Sequence, residues 1–301
     1  WIKNYMSKIY YNKQYIDNKD IKFVKNSLKK KLITNGPNVD IFEKLIKKKL
    51  KSKYSLVCNS GTSALHLAMM ALELKKNDIV IIPSVNFIAS YSMAKLMGAK
   101  IFFSDVSKET GQMTPDLIEE CIKKNRLKKI KLIITMYLGG TPYNVEKFYK
   151  LKKKYKFYII EDACHSLGSF YENKKKFPVG SCKYSDFSTF SFHPVKAITT
   201  GEGGMITINN KKYYNYIKKL RNHNFDYPKK VIKNKPWFYA INDIFLNYRM
   251  SDINAALGLS QLKKLDKFVK KRNEIAKIYR KNFEGKNFFK TQYVKENNYH
   301  A

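Results

Sequence analysis

The 301-residue sequence has only four cysteines, Cys58, Cys121, Cys164 and Cys182, and only five histidines. No two cysteines form a C-x-x-C pair, and the histidines add no zinc-binding spacing. The sequence therefore indicates no metal site. It predicts reduced, mostly buried thiols, as is typical of a cytoplasmic protein.

Long apolar runs are also missing. No stretch reaches transmembrane length, and no signal peptide opens the sequence. We therefore expect a cytoplasmic protein without a membrane partner. Because the sequence starts with Trp1 and stops at Ala301, directly after NNYH, we expect a fragment trimmed at both ends.

Acidic residues are scarce: 24 Asp and Glu stand against 59 Lys and Arg, which gives a formal net charge of +35. Such a charge first suggests a nucleic-acid or membrane partner. The lysines, however, occur in almost every segment, on the polar side of amphipathic stretches such as KNSLKKKLI and KKLDKFVKKR, and no single basic tail stands out. This distribution favours a composition bias over the whole chain. We expect no nucleic-acid partner, although the positive field would attract anionic substrates.

Hydrophobic residues make up 44% of the chain, which is enough for a large core. From Tyr54, short β-rich runs alternate with helical patterns. YSLVC, DIVIIP, AKIFFSDV, KLIITMY and FYIIEDA predict strands, and TSALHLAMMALEL, FIASYSMAKLMG, TPDLIEECIKKN and NVEKFYKLKKKY predict helices. This order predicts an α/β fold with a mostly parallel sheet and helices on both faces.

After Ala163 the alternation stops. DFSTFSF and GMITIN predict two strands joined by a loop, and the sequence from Ser251 onward is mainly helical. We expect a large domain over residues 1–250 and the start of a smaller C-terminal domain over 251–301.

Four stretches place polar or aromatic residues where ligands gather in α/β sheets, at the carboxyl ends of strands. CNSGTSALHL puts Gly61, Thr62 and Ser63 between a strand and a helix, which suits a phosphate, although an ordinary capped turn explains the same residues. IIEDACHS ends a strand on Asp162, a carboxylate that needs a cation or several donors unless it caps a turn. Phe87, in IIPSVNFIAS, lies just past another strand end, and an isolated aromatic residue of this kind is more often part of a core than a cofactor platform.

The fourth stretch is SFHPVKAITTGEGG, in which Lys196 lies between apolar, tightly turning segments. A lysine amine attacks a carbonyl only in its neutral form, which apolar surroundings favour. The glycines that follow would let the backbone approach a ligand closely. The stretch is not a Walker loop, because no Lys-Ser or Lys-Thr is present. It is not a dinucleotide fingerprint either, because it leads into a strand.

Pyridoxal phosphate (PLP) explains all four stretches together. Its aldehyde needs a lysine for a Schiff base, and its ring nitrogen needs a carboxylate that keeps it protonated. It also needs a phosphate cup and a flat group over the ring. Lys196, Asp162, the turn at 61–63 and Phe87 would fill these roles in that order.

These stretches resemble the DegT/DnrJ/EryC1/StrS family of sugar aminotransferases, which has the fold-type-I aminotransferase architecture. The resemblance extends over nearly the whole chain, through TNGPNVDIFEKLI, NSGTSALHLA, EDACHSLGS, SFHPVKAITTGEGG and NYRMSDINAALGLSQLKKL. The lysine motif is most similar to the pseudaminic-acid branch. That branch implies transfer of an amino group from L-glutamate to the 4-keto group of a UDP-linked 2-acetamido-2,6-dideoxy sugar.

The resemblance also implies residue roles. Lys196 would be the Schiff-base lysine and proton shuttle, Asp162 would pair with the pyridinium nitrogen, and His165 would lie beside the cofactor ring. Phe87 would stack on that ring. Asn247 would reach the cofactor phosphate of the neighbouring subunit, so that a homodimer would share its active sites.

Two further sets of residues have implied roles. The phosphate would be bound by Thr62, Ser63 and Ser191, and the substrate side would be lined by Thr34, Gly36 and Pro37. MYLGGTPYNV differs from the commoner form of that loop, which contains histidine, so the sugar is left open.

Three alternatives remain at this point. The chain could aminate another UDP-, dTDP- or GDP-linked keto-sugar, at C3 or C4. It could be a sugar dehydratase, although dehydratases of the family replace the lysine with histidine. It could be a non-catalytic nucleic-acid binder, for which only the charge argues.

Overall fold

The computed structural model describes residues 12–171, 177–226, 234–235, 237–241, 243 and 245–294. Within them, the helices are α1 (Asn18–Leu28), α2 (Pro37–Leu50), α3 (Gly61–Ala71), α4 (Ala89–Leu96), α5 (Pro115–Lys124), α6 (Val145–Tyr155), α7 (Lys211–Leu220), α8 (Asp252–Leu262) and α9 (Leu265–Phe283). The strands are β1 (Tyr54–Cys58), β2 (Ile79–Pro83), β3 (Lys100–Ser104), β4 (Ile130–Met136), β5 (Tyr158–Asp162), β6 (Phe187–Ser191), β7 (Gly204–Ile208), β8 (Phe225–Asp226) and β9 (Ala240–Ile241).

Seven strands form one sheet in the order β1-β7-β6-β5-β4-β2-β3. The pairs from β6 to β3 are parallel, whereas β7 runs antiparallel to both of its neighbours, β1 and β6. The mostly parallel sheet expected from the sequence is therefore confirmed. Since β7 lies between β1 and β6, the loop from β6 to β7 is brought beside the turn that follows β1.

Side chains alternate between the two faces of this sheet, as strand geometry requires. Ile82, Ile134 and Ile160 pack into one buried cluster with α3. Their neighbours Ile81 and Ile133 pack on the other face, with α5 and α6. Because both faces are covered, the central strands are apolar almost throughout.

The helix starts follow local capping rules. The side chain of Thr114 accepts a hydrogen bond from the backbone N–H of Leu117, and Pro115 occupies the first helical position of α5. At the start of α3, the side chain of Ser60 accepts one from the N–H of Ser63. The first of these caps agrees with the start that the sequence predicts.

Helix α8 lies against α1 and α2. Its Ala255 and Leu259 belong to the same buried cluster as Phe42 of α2 and Val269 of α9. The structure thus packs the first part of residues 251–301 onto the elements before it, and a domain division at residue 250 stays a prediction.

Candidate active site

A cavity of about 450 Å³ opens where β4, β5 and β6 end, beside the turn that follows β1. Seven of the residues expected at the site line it: Gly61, Thr62, Phe87, Asp162, His165, Ser191 and Lys196. These residues are far apart in sequence, and the sheet order brings them together. The cavity lies where ligands bind in open α/β sheets.

The turn after β1 is built as a capped helix start. The hydroxyl of Ser63 donates to Oδ1 of Asn59, at 2.6 Å, and its backbone N–H donates to Oγ of Ser60, at 3.0 Å. The N–H groups of Gly61 and Thr62, in the first turn of α3, have no partner within an α-helix. The turn therefore offers main-chain donors to an anion. Ser63 is not among the residues that line the cavity, and its predicted phosphate contact stays a prediction.

Strand β7 touches this turn directly. A Cβ on Gly204 would lie 2.1 Å from the carbonyl oxygen of Ser60 and 2.7 Å from the nitrogen of Gly61. The interpretation that glycines after Lys196 let the backbone approach a ligand is therefore wrong for Gly204. Its missing side chain lets two main-chain segments meet, because the neighbour at this point is the turn itself.

Strand β1 is an edge strand, and two side chains cover its outer edge just before the turn. The N–H of Val57 donates to Oε1 of Glu43, at 2.9 Å, and its carbonyl accepts from Nη1 of Arg221, at 2.7 Å. Arg221 also pairs with Glu43. Burial raises the pKa of the Glu43 carboxyl, and the Arg221 charge opposes that rise. This pair protects the edge and holds the start of the turn.

Asp162 is the last residue of β5 and is 4% exposed. Burial raises the pKa of its carboxyl, and hydrogen bonding from Cys164 and the charge of Lys196 act in the opposite direction. The N–H of Cys164 donates to Oδ1 of Asp162, at 3.2 Å. The hydrogen bond from Cys164 and the charge of Lys196 offset only part of the cost of burying this carboxylate. A cationic group placed against it in the cavity would therefore be stabilised.

The neighbouring Glu161 points to the opposite face, as strand alternation predicts. Its carboxylate accepts hydrogen bonds from the hydroxyls of Tyr137, Tyr171 and Ser188. Burial raises the pKa of Glu161, and these hydroxyls counteract the rise. The group is a buried structural network outside the cavity.

Lys196 lies in the loop between β6 and β7, and its main chain is held on both sides. Its N–H donates to the carbonyl of His193, at 2.9 Å, and its carbonyl accepts from Nη2 of Arg272, at 2.9 Å. At the base of the loop, the carbonyl of Phe192 accepts from the N–H of Thr200, at 3.0 Å. Within the described residues, the amine of Lys196 makes no hydrogen bond or ion pair. A fixed backbone thus carries an amine that is free to react.

The pKa of His165, at the rim of the cavity, is lowered to about 4, chiefly by burial and further by the charges of Lys196 and Arg272. The imidazole is therefore neutral at pH 7. A neutral ring can lie beside an aromatic cofactor without placing another positive charge next to Lys196.

This pKa predicts a pH dependence of stability. In the unfolded chain the pKa of His165 returns to about 6.5, so between pH 6.5 and 4 the unfolded state binds more protons. The contribution of His165 to stability is present above pH 6.5 and is lost as the pH falls towards 4. His165→Gln should therefore lose less stability than the wild type between pH 7.5 and 5, in urea unfolding of the cofactor-free protein. Parallel losses in the two proteins would contradict the lowered pKa.

Asn247 is not among the residues that line the cavity. Its side chain is exposed, and its Oδ1 accepts from the N–H of Arg249, at 3.3 Å. Its carbonyl lies next to the turn after β1, since it accepts from Nδ2 of Asn59, at 3.4 Å. Within this chain the residue stabilises a local turn, and a role towards a neighbouring subunit stays a prediction.

Thr34, Gly36 and Pro37 are also not among the lining residues. The N–H of Val39, in the first turn of α2, donates to Oδ1 of Asp252, at 3.1 Å, and a Cβ on Gly36 would lie 2.6 Å from Cγ of Asp252. Gly36 thus allows the close contact between the starts of α2 and α8, and Pro37 occupies the first helical position of α2. Their substrate role stays a prediction.

Among the residues that the structure describes, no group of three or more His, Cys, Asp or Glu side chains could hold a metal ion. In the same residues, no helix is both long enough and apolar enough to cross a membrane.

The DegT/DnrJ/EryC1/StrS aminotransferase family model matches residues 14–301 of the chain. The chain belongs to this family. Its aminotransferases depend on PLP, and the cavity fits that cofactor: it offers a lysine amine, a buried carboxylate that makes no ion pair within the described residues, and main-chain donors at a helix start.

Known DegT-family proteins resemble the chain over most of its length. The UDP-4-amino-4,6-dideoxy-N-acetyl-beta-L-altrosamine transaminase of Campylobacter jejuni, strain 81-176, is 40% identical over 288 residues, which are 96% of this chain and 73% of that protein. The structure of Helicobacter pylori PseC, an aminotransferase involved in the biosynthesis of pseudoaminic acid, matches with a TM-score of 0.83 and 29% identity, over 93% of this chain and 72% of PseC. Streptococcus pneumoniae Spr1654 in its PMP form matches with a TM-score of 0.84 and 28% identity, over 92% and 73% of the two chains.

Proposed function

We propose that the protein transfers the amino group of L-glutamate to the keto group of a nucleotide-linked 4-keto-6-deoxy sugar, and that the product is UDP-4-amino-4,6-dideoxy-N-acetyl-altrosamine. The observation that carries this proposal is the free amine of Lys196 in one cavity with the buried carboxylate of Asp162. The 40% identity to the Campylobacter jejuni transaminase supports the choice of sugar.

PLP, when bound, supplies an aldehyde that exchanges amino groups and a ring that accepts electrons. Lys196 would hold the cofactor between reactions, and its freed Nζ would carry a proton away from and back to the reacting carbon. Asp162 would keep a proton on the ring nitrogen. The N–H groups of Gly61 and Thr62 and the hydroxyl of Ser191 would bind the phosphate.

The presence of Lys196 favours amino transfer over sugar dehydration, because the resemblance implies that dehydratases of the family have a histidine at this position. The nucleotide and the aminated carbon are best tested on a panel of UDP-, dTDP- and GDP-linked keto-sugars with ¹⁵N-glutamate. We expect label at C4 of the UDP-linked 2-acetamido sugar, read by NMR. Label on another sugar would replace the substrate, and dehydration or no label on any sugar would refute the function.

We propose a homodimer in which Asn247 reaches the cofactor of the neighbouring subunit. Two observations support it. The side chain of Asn247 is exposed beside the turn after β1, and Phe87, the expected ring platform, is 67% exposed at the rim of the cavity. Ile88 next to it is 62% exposed, so an apolar rim is available for a second copy.

Mixed dimers test the shared site. Lys196→Ala and Asn247→Ala should each be nearly inactive as homodimers. If both are unfolded, mixed and refolded, about half of the dimers are mixed, and one site of each mixed dimer carries neither change. Activity should then rise to about a quarter of wild type. No recovery, with mixed dimers verified by mass, would show that Asn247 acts only within its own chain.

We also propose a cytoplasmic location. The supporting observation is that all four cysteines are free thiols. Detection of the protein in separated cell fractions, with a thiol reagent added after denaturation because three of the four cysteines are buried, would test it.

A further inference from the structure

Arginine is rare in this chain: only five of the 59 basic residues are arginines. Arginine differs from lysine in its planar guanidinium, which presents several N–H donors in a fixed geometry. Two of the five use these donors within the protein. Arg221 donates to the carbonyl of Val57 while it pairs with Glu43, and Arg249 donates to Oδ1 of Asn222.

Among the described residues, Arg272, on α9, makes one hydrogen bond, which it donates to the carbonyl of Lys196. That bond uses Nη2, and a guanidinium has five N–H donors. The residue is exposed, so a ligand from solvent can reach the remaining donors. The bond fixes the cation close to the residue that carries the reactive amine.

The surroundings of Arg272 are positive. Arg272 and Lys196 line a second cavity of about 180 Å³, which we call the side cavity, together with Lys13, Lys271 and uncharged residues. Within the described residues no acidic side chain lines it. Lys196 lines both the side cavity and the cofactor cavity, so the two adjoin at this residue.

The charge of Arg272 also acts on His165, whose side chain lines the cofactor cavity. The guanidinium lies at the loop of Lys196, through its bond to the Lys196 carbonyl, and at the side cavity that both residues line. An anion bound there would be close to the reacting amine, and its charge would be balanced by a rigid fork of donors.

We propose that Arg272 binds an oxyanion of a substrate beside Lys196. This inference rests on the proposed function, in which both substrates carry oxyanions: the carboxylates of L-glutamate and the diphosphate of the sugar nucleotide. A guanidinium binds either group through paired N–H donors. The role is substrate binding, separate from holding the cofactor.

Two unreactive probes distinguish the two possible oxyanions. Glutarate represents the carboxylates of the amino donor, and UDP represents the diphosphate of the sugar nucleotide. Each is titrated by calorimetry into the PLP-loaded protein, as wild type, Arg272→Gln, Arg272→Lys and Lys277→Gln. Lys277 is an exposed lysine on the same helix and serves as the control for loss of one positive charge. Arg272→Gln should weaken one probe by about tenfold or more, and Arg272→Lys by less, since it keeps the charge and loses the fork. Lys277→Gln should change neither probe by more than about twofold.

Weaker binding of glutarate alone assigns the carboxylate of the donor, and weaker binding of UDP alone assigns the diphosphate. The proposal is overturned if neither probe is weakened in Arg272→Gln, if Lys277→Gln has the same effect, or if neither probe binds the wild type. It is also overturned if Arg272→Gln loses the visible absorbance of bound cofactor, because the residue would then only position Lys196. A protein that aminates no sugar would refute the proposed function, while these titrations would still decide the role of Arg272.

Discussion

The Lys196→Ala variant should lose turnover by about 10⁴-fold or more while it keeps its fold. A positioned proton carrier alone contributes roughly 10²–10⁴-fold, and this variant also loses the covalent attachment of the cofactor. The fold should persist because the amine of Lys196 has no hydrogen bond or ion pair within the described residues, and the loop is held by main-chain contacts. Steady-state kinetics and circular dichroism measure the two effects.

The matched control is Lys277→Ala, an exposed lysine that should be neutral in both measurements. Sodium borohydride adds an independent readout, since it should fix the cofactor to the wild type and not to Lys196→Ala. Cofactor fixed at another lysine, or normal turnover in the variant, would show that Lys196 is not the reactive residue.

The Asp162→Asn variant should lose about 10³-fold in kcat without losing stability. An amide has no negative charge, so it does not keep a proton on the ring nitrogen, and removal of one focused electrostatic contact in an active site costs about 10²–10³-fold. Stability should stay equal or rise, because burial already raises the pKa of this carboxyl and a neutral group avoids that cost. Stopped-flow measurement of the reaction with L-glutamate and urea unfolding give the two numbers.

Glu161→Gln provides the contrast, since this neighbour is also a buried acid of the same strand but faces the other side. It should lower the free energy of unfolding by about 1–3 kcal/mol, because its hydroxyl partners lose a charged acceptor, and change kcat little. If Asp162→Asn stayed within about twofold of wild-type kcat, Asp162 would be a turn cap and nothing more.

Much of the fold could be predicted because its signals are local. Most strands of the main sheet have an apolar run bounded by turn residues, and YSLVC predicts β1 to the residue. Thr114 and Pro115 fix the start of α5 through their own chemistry. Even the opposite directions of Asp162 and Glu161 follow from strand alternation alone.

The contacts that could not be predicted are those between distant segments. From the sequence, Gly204 indicates only a position at which the backbone can bend or approach another group. The pairing of β7 with β1 shows that this group is the carbonyl of Ser60. Likewise, only the structure shows that the hydroxyl of Ser63 donates to Asn59, and the phosphate contact of Ser63 stays a prediction. Gly36 is explained by Asp252, which is more than two hundred residues away in sequence.

The position of β7 has a consequence for synthesis on the ribosome. Strands β2 to β6 can pair in parallel as they emerge, but β1 reaches the sheet only through β7, and its partner for Cys58 is Gly204. Until residue 208 has left the exit tunnel, no strand pairs β1 with the rest of the sheet, and the lysine loop is not yet closed by β7. The nascent chain therefore passes through a stage with most of its helices and strands and no assembled pocket, in which the unpaired edge of β6 must be kept from other chains. The pairing that links β1 to the rest of the sheet is thus completed late, by the insertion of one five-residue strand.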